Sequence, residues 1–252
     1  MRYFIELSYD GTDYHGWQRQ DGSKSIQAAI EQGLYYKINQ NEGVTGCGRT
    51  DAGVHARQFF AHFDLFQHLD KRKLAELRDE LNSFLPQDIA IHRIFRVRDQ
   101  AHTRFDAIAR TYKYYISTNR YPFNRHFSWY YHAPLNVEEM NRSAEILGRY
   151  SDFTSFAKLH GGAHTNICQI SHARWEKLEH ELVFTITADR FLRNMVRSIV
   201  GTMVDIGRGK IDQEELSRII ESMDRSRAGM SAPAKGLFLE KIDYNWEEIL
   251  KI

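Results

Sequence analysis

Polar and apolar positions alternate from the start of the chain. Tyr3, Ile5, Leu7 and Tyr9 share one face of a first strand, because strand side chains point to opposite sheet faces in turn. A loop, Asp10-Gly-Thr-Asp-Tyr-His-Gly-Trp-Gln18, follows with two glycines as punctuation. Ser25 is placed to cap a helix whose Ile26, Ala29, Ile30, Gly33 and Leu34 lie on one side. A strand is expected near Val44, then a glycine-broken loop over residues 46–55, then a strand with Phe59, Ala61, Phe63 and Leu65 alternating. Asp70 should cap a helix with a Leu74, Leu77, Leu81, Phe84 stripe that stops at Pro86, and Ile89, Ile91, Phe95 and Val97 mark one more strand. The first half therefore reads β-α-β-β-α-β.

The second half repeats that order. Tyr112, Tyr114 and Ile116 mark a strand, and Val137, Met140, Ala144 and Leu147 align on a helix behind Asn136. Two strands come next, around Ile167 to Trp175 and over Leu182, Phe184, Ile186 and Ala188. A helix from about Phe191 to Asp205 would bury Leu192, Met195, Val196, Ile199 and Met203. A further helix starts with a capping box, Asp212 to Glu215, and a last strand holds Leu237 and Leu239. The expected fold class is α+β: two ferredoxin-like, RRM-like βαββαβ units joined into a mixed, mostly antiparallel sheet, with helices on one side and a central cleft. The boundary is set near Asp106, giving an N-terminal unit of residues 1–106 and a C-terminal unit of residues 107–252.

Composition narrows the class of protein. With 252 residues, 42% hydrophobic, 27% charged and only four prolines, the chain is expected to be a globular domain and not a disordered segment. The N-terminus has no apolar leader-like core, and no run approaches the roughly 20 apolar residues of a membrane span, so a soluble, cytoplasmic protein without a membrane partner is expected. Two cysteines, Cys47 and Cys168, suit reduced thiols better than a framework of disulfides or a thiolate metal site. Net charge is +1, but residues 93–126 hold eight Arg or Lys against Asp99 and Asp106, while carboxylates collect near the C-terminus. Segregated charge of this kind allows one face to attract phosphates while another repels them.

The densest punctuation is Gly46-x-Gly-Arg-Thr-Asp-Ala-Gly-Val-His55. Asp51 on such a loop, with Arg49 two residues away, could be an ionised nucleophile or base; an aspartate that merely shapes its turn is the plainer alternative. Twelve histidines show no metal-ligand spacing, and no Lys-Ser or Lys-Thr follows the glycines as a phosphate-binding loop requires. Arg110, Tyr112 and Tyr114 fall on one strand face, an arrangement that suits stacked bases and phosphates, or else ordinary cross-strand packing. Arg193 and Arg197 are four apart, on one face of the expected helix, with Gly201 continuing that face.

Together these segments resemble the tRNA pseudouridine synthases of the TruA family, which isomerise uridines in the anticodon stem-loop. The resemblance rests on Tyr9-Asp-Gly-Thr-Asp-Tyr-His-Gly-Trp-Gln18, Gly48-Arg-Thr-Asp-Ala-Gly-Val-His55, Arg110-Thr-Tyr-Lys-Tyr114, Asp152-Phe-Thr-Ser-Phe156, Phe191-Leu-Arg-Asn-Met-Val-Arg197 and Pro233-Ala-Lys-Gly-Leu237, six motifs in the family's order. It implies that Asp51 is the catalytic aspartate and that Tyr112 stacks on the target base. It further implies that Arg49 lies beside the aspartate and that Arg197 pairs with it. Arg190, Arg193, Asn194 and Lys113 depart from the residues the family often has. The implied reaction, uridine to pseudouridine at tRNA positions 38, 39 and 40, needs no cofactor and no metal. The implied assembly is a homodimer acting on tRNA. A non-catalytic RNA-binding module of two RRM-like units is the alternative, although it would have no use for a carboxylate in a glycine loop.

Overall fold

The computed structural model describes residues 1–158 and 164–252. The chain forms two compact units, Met1–Ile108 with Leu239–Ile252, and Ala109–Phe238. The break near 108 lies two residues from the expected boundary. What the sequence pattern missed is the return of the last 14 residues, Leu239–Ile252, to the first unit.

In the first unit the elements are β1 (Arg2–Tyr9), α1 (Ile26–Ile38), β2 (Thr45–Gly46), β3 (His55–Asp64), α2 (Lys71–Phe84), β4 (Ile89–Val97), β9 (Leu237–Tyr244, entering from Leu239) and the short α6 (Trp246–Ile249). Strand order is β4-β1-β3-β9, with β2 on β3; β1 is antiparallel to both β3 and β4. On one side of β1, Tyr3, Ile5, Leu7 and Tyr9 are buried as their alternation requires. On that side the Tyr3 hydroxyl accepts from the Leu69 amide at the approach to α2, and Phe59, cross-strand from Leu7, stacks on Trp17 at 4.1 Å. The other side is apolar too. Phe4 meets Phe95 and Tyr244 at 6.0 Å, and Phe60 meets Tyr244 and Trp246 at 5.3 and 5.4 Å, so the returning C-terminus covers this second face. A sheet buried on both faces reads as a continuous apolar run, which is why β3 carries Phe59, Phe60, Ala61 and Phe63 without strict alternation.

The second unit holds β5 (Ala107–Ser117, from Ala109), β6 (Trp129–Tyr130), α3 (Val137–Leu147), β7 (Ile170–Lys177), β8 (Glu181–Ala188), α4 (Met195–Gly207) and α5 (Gln213–Glu221). Its order is β5-β8-β7, antiparallel throughout, with β6 alongside β5 in parallel. Trp175 and Phe184 stack at 4.8 Å across β7 and β8. Both units are therefore α+β and mostly antiparallel.

The helix starts follow the capping residues. Ser25 Oγ accepts from Ala28 N at 3.3 Å, Asp70 from Lys73 N at 2.8 Å, Asn136 from Glu139 N at 3.2 Å and Asp212 from Glu215 N at 2.8 Å. One start is corrected: α4 begins at Met195, not Phe191, because Asn194 takes a left-handed backbone (φ 66°). Arg193 therefore precedes the helix, and the Arg193–Arg197 face expected from four-residue spacing does not form. No helix among the described residues is long and apolar enough to cross a membrane.

Candidate active site

Asp51 opens a turn between β2 and β3. The Val54 amide donates back to the Asp51 carbonyl at 3.1 Å, and Gly53 takes φ 75° at the third turn position, a conformation open to glycine and strained for other residues. The three glycines of the loop have different reasons. A Cβ on Gly46 would lie 2.6 Å from the Trp17 indole, Gly53 supplies the positive φ, and Gly48 has no atom within 4 Å of where a Cβ would stand.

The end of β1 and the 10–18 loop brace this turn from both flanks. On the Thr50 flank, the Trp17 amide donates to Thr50 O at 3.3 Å, the Tyr9 and Thr50 hydroxyls lie 2.9 Å apart, and Gly16 (φ 92°) admits Thr50 O to 2.2 Å from a virtual Cβ. On the Val54 flank, Gly53 N donates to Tyr14 O at 3.2 Å, and a Cβ on Gly11 would stand 2.0 Å from Val54 O. The Gly11 amide meets His55 Nδ1 at 3.1 Å, and Asp10 Oδ1 lies 3.0 Å from the same nitrogen. The Tyr14 hydroxyl donates to Asp88 at 2.6 Å, and burial together with that carboxylate raises its pKa well above the usual phenol value. Asp51 itself is half-buried. The arrangement thus presents a carboxylate on a turn whose backbone is fixed on each side.

Arg49, two residues before Asp51, is exposed. Cys47 is buried and accepts from the Phe60 amide at 3.5 Å; Cys168 is also buried, which pushes its thiol up to about 11. Both are packing residues. No group of three or more metal-ligating side chains occurs among the described residues.

In the second unit the aromatic face of β5 is graded. Tyr114 is fully buried, with its hydroxyl donating to Pro233 O at 2.8 Å, and Gly236 leaves room for its ring; a Cβ there would be 2.8 Å away. Tyr112 is half-buried, braced edge-to-face by Phe191 at 5.1 Å, and Arg110 donates to Asp189 O at 2.6 Å. One residue type thus serves packing at position 114 and leaves part of a ring surface at position 112. The brace by Phe191 is a contact sequence reasoning missed; its only signal was the aromatic residue in a motif already singled out.

Arg197 lies in the first turn of α4. Its Nε donates to Ala232 O at 2.7 Å, and Ala232 N returns a bond to Arg197 O at 2.9 Å. Gly201 explains the nearness of that segment, since a Cβ would fall 1.7 Å from Met230 O. Asn194 Nδ2 bonds Ser198 Oγ at 2.9 Å and Ser231 Oγ at 2.6 Å, and Arg225 adds a bond to Ser231 at 2.9 Å. The departure at Asn194 is therefore structural in effect.

Comparison with known proteins identifies relatives of this chain. A family model described as tRNA pseudouridine synthase matches residues 145–245. A Bacteroides fragilis protein named tRNA pseudouridine synthase A is 52% identical over 98% of this chain and 98% of its own length. Its namesake in Bacteroides thetaiotaomicron is 51% identical over 97% of this chain and 91% of its own, and one in a Thermoanaerobacter species is 37% identical over 95% and 98%. The chain belongs to the tRNA pseudouridine synthase A family, whose members are isomerases.

Proposed function

We propose that this chain converts uridine to pseudouridine at positions 38, 39 and 40 of the anticodon stem and loop of tRNA, with Asp51 as the catalytic carboxylate. The observation that carries the reading is Asp51 on a turn braced from both flanks, within six motifs in the family's order. The reaction breaks the N1–C1′ glycosidic bond, turns the uracil and rejoins it through C5, with no net redox change. Positive charge develops at C1′ as the base leaves, and a nearby carboxylate can trap or stabilise it, as the nucleophile of a retaining glycosidase does. Removal of the 2′ hydrogen, giving a glycal, is the other route open to the same group.

The target uridine must leave its stack at a cost of a few kcal/mol. Tyr112, half-buried and braced by Phe191, is assigned the role of stacking on the flipped base. Arg197, fixed through Ala232, is assigned to substrate binding, and the exposed Arg49 suits a phosphate or the substrate near Asp51. The working form is taken to be a cytoplasmic homodimer on tRNA.

Purified chain incubated with unmodified tRNA should yield pseudouridine at positions 38 to 40. Asp51→Asn, which removes charge and keeps shape, should bind tRNA within about twofold of wild type while product falls to background. Product confined to the T-loop would overturn the positional assignment, and turnover above a few per cent in the Asn variant would overturn the role of Asp51.

A further inference from the structure

We propose that His55 is a positioning residue for the catalytic turn, an inference that rests on Asp51 being the catalytic carboxylate. His55 is 1% exposed, the first residue of β3 and four residues after Asp51. Its Nδ1 edge faces the first loop. Nδ1 stands 3.1 Å from the Gly11 amide nitrogen and 3.0 Å from Asp10 Oδ1. Nδ1 has a single site for a proton or a lone pair. Unprotonated, it accepts from Gly11; protonated, it donates to Asp10. In either state it fastens the same dipeptide step.

That step is pressed onto the turn. Gly11 admits Val54 O where a Cβ would clash at 2.0 Å, and Val54 N closes the turn on Asp51 O at 3.1 Å. His55 therefore holds the Asp10–Gly11 backbone against the residue whose amide sets the Asp51 carbonyl. On the opposite flank Thr50 is held by the Tyr9 hydroxyl and the Trp17 amide. With both flanks fixed, Asp51 can move little. Asp10 in turn is tied to its own loop, because its Oδ1 accepts from the Thr12 amide at 2.9 Å and the Thr12 hydroxyl at 2.6 Å. Loss of the imidazole would free one flank only and would leave tRNA-binding groups in place. Misplacement of a reacting group by about 1 Å can cost on the order of a hundredfold in rate.

The test is single-turnover pseudouridine formation with tRNA in excess of its dissociation constant, below the melting temperature of each variant. His55→Leu, which can neither accept nor donate, should lower the rate constant 10- to 100-fold with tRNA affinity within twofold of wild type. His55→Gln, whose amide can accept from Gly11 or donate to Asp10, should recover most of that loss. A role in folding alone would lower the melting temperature of His55→Leu and leave its single-turnover rate unchanged, which would overturn the proposal. Equal impairment of the Leu and Gln variants would overturn it as well. If His55→Leu does not fold, His55→Phe, which keeps a ring and removes the nitrogen that meets Gly11 and Asp10, takes its place and should show the same loss of rate at unchanged affinity; a wild-type rate there would be equally fatal. Asp51→Asn run in parallel separates the two levels. An active Asp51→Asn removes the premise, whereas an inactive one beside a fully active His55→Leu removes only the role of His55.

Discussion

Burial disfavours the charged form of His62, and the nearby Arg2 guanidinium acts in the same direction, so its imidazole falls to about 4. The residue is 5% exposed, and its Nδ1 lies 2.8 Å from the Thr103 hydroxyl, which in turn donates to Thr45 O at 3.0 Å. An unfolded histidine titrates near 6.5. Between these values the unfolded chain binds the proton and the folded chain does not. Stability is therefore complete above about pH 6.5 and lost as pH falls toward 4, by up to about 3 kcal/mol. Urea unfolding from pH 8 to pH 4 should show that decline, and His62→Gln should flatten it. Asp64 acts in a lower window. Its hydrogen bonds from Arg2, at 2.7 and 2.9 Å, hold the carboxyl below its ordinary value, so its contribution disappears only as pH falls through that lowered value. An unaltered profile in His62→Gln would show that other groups carry the acid sensitivity. Histidines 55 and 62 also illustrate what sequence could reveal. Both stood close to Asp51 in the chain, but their partners, Gly11 and Thr103, are 44 and 41 residues away, beyond any local pattern.

At the scale of elements, the order β-α-β-β-α-β was legible twice because α1, α2 and α3 each have a side-chain cap at their start and each long strand an apolar stripe. The beginning of α4 was not, since a left-handed Asn194 interrupts a sequence with good helical periodicity, and its stabilising contacts come from Ser198 and Ser231. A second device also lay outside the pattern. Asn82 of α2 brackets Ile91 of β4, donating to its carbonyl at 2.8 Å and accepting from its amide at 2.7 Å. Asn141 of α3 does the same to Trp175 of β7 at 3.0 and 2.8 Å. Both strands are at the outer end of their unit's order, so each asparagine satisfies backbone groups that no neighbouring strand pairs. Replacement by alanine leaves one donor and one acceptor unmade. Asn82 is exposed and water can substitute, so Asn82→Ala should cost about 1 kcal/mol; Asn141 is half-buried, and Asn141→Ala should cost about 2 kcal/mol. Chemical denaturation of the two variants tests the ranking, and the reverse order would refute the argument from water access.

At the scale of the whole molecule, the near-zero net charge means that any guidance of RNA comes from how charges are placed, and the fold redistributes the basic run of residues 93–126. Arg93 pairs with Glu6, Arg98 pairs with Asp106 at 2.7 Å, and Arg110 is bonded to a backbone carbonyl. Arg96 is half-buried. Linear sequence could show eight cations against two carboxylates, but not that Glu6, 87 residues away, would neutralise one of them. The segment 118–132 is different. It contains no Asp or Glu, and it exposes Arg120 and Arg125 beside Tyr121 and Phe123, which are 55% and 77% exposed. Arg120 stands 5.6 Å from the Tyr130 ring, and Arg125 donates to Pro122 O at 3.0 Å, and neither head pairs with a carboxylate among the described residues. Each phosphate neutralised by such a cation releases counterions and adds roughly 0.7 to 0.9 to the slope of log affinity against log salt. Arg120→Gln with Arg125→Gln should therefore reduce that slope for tRNA by about 1 to 2 and leave turnover at saturating tRNA near wild type, because backbone contacts position the substrate without touching the reacting sugar. Arg93→Gln with Arg98→Gln should lower stability and change the slope little, since their charges are already spent on Glu6 and Asp106. Filter binding between 50 and 200 mM salt distinguishes the pairs. A slope unchanged by the first double variant and reduced by the second would place the RNA along β4 instead of along the 118–132 segment.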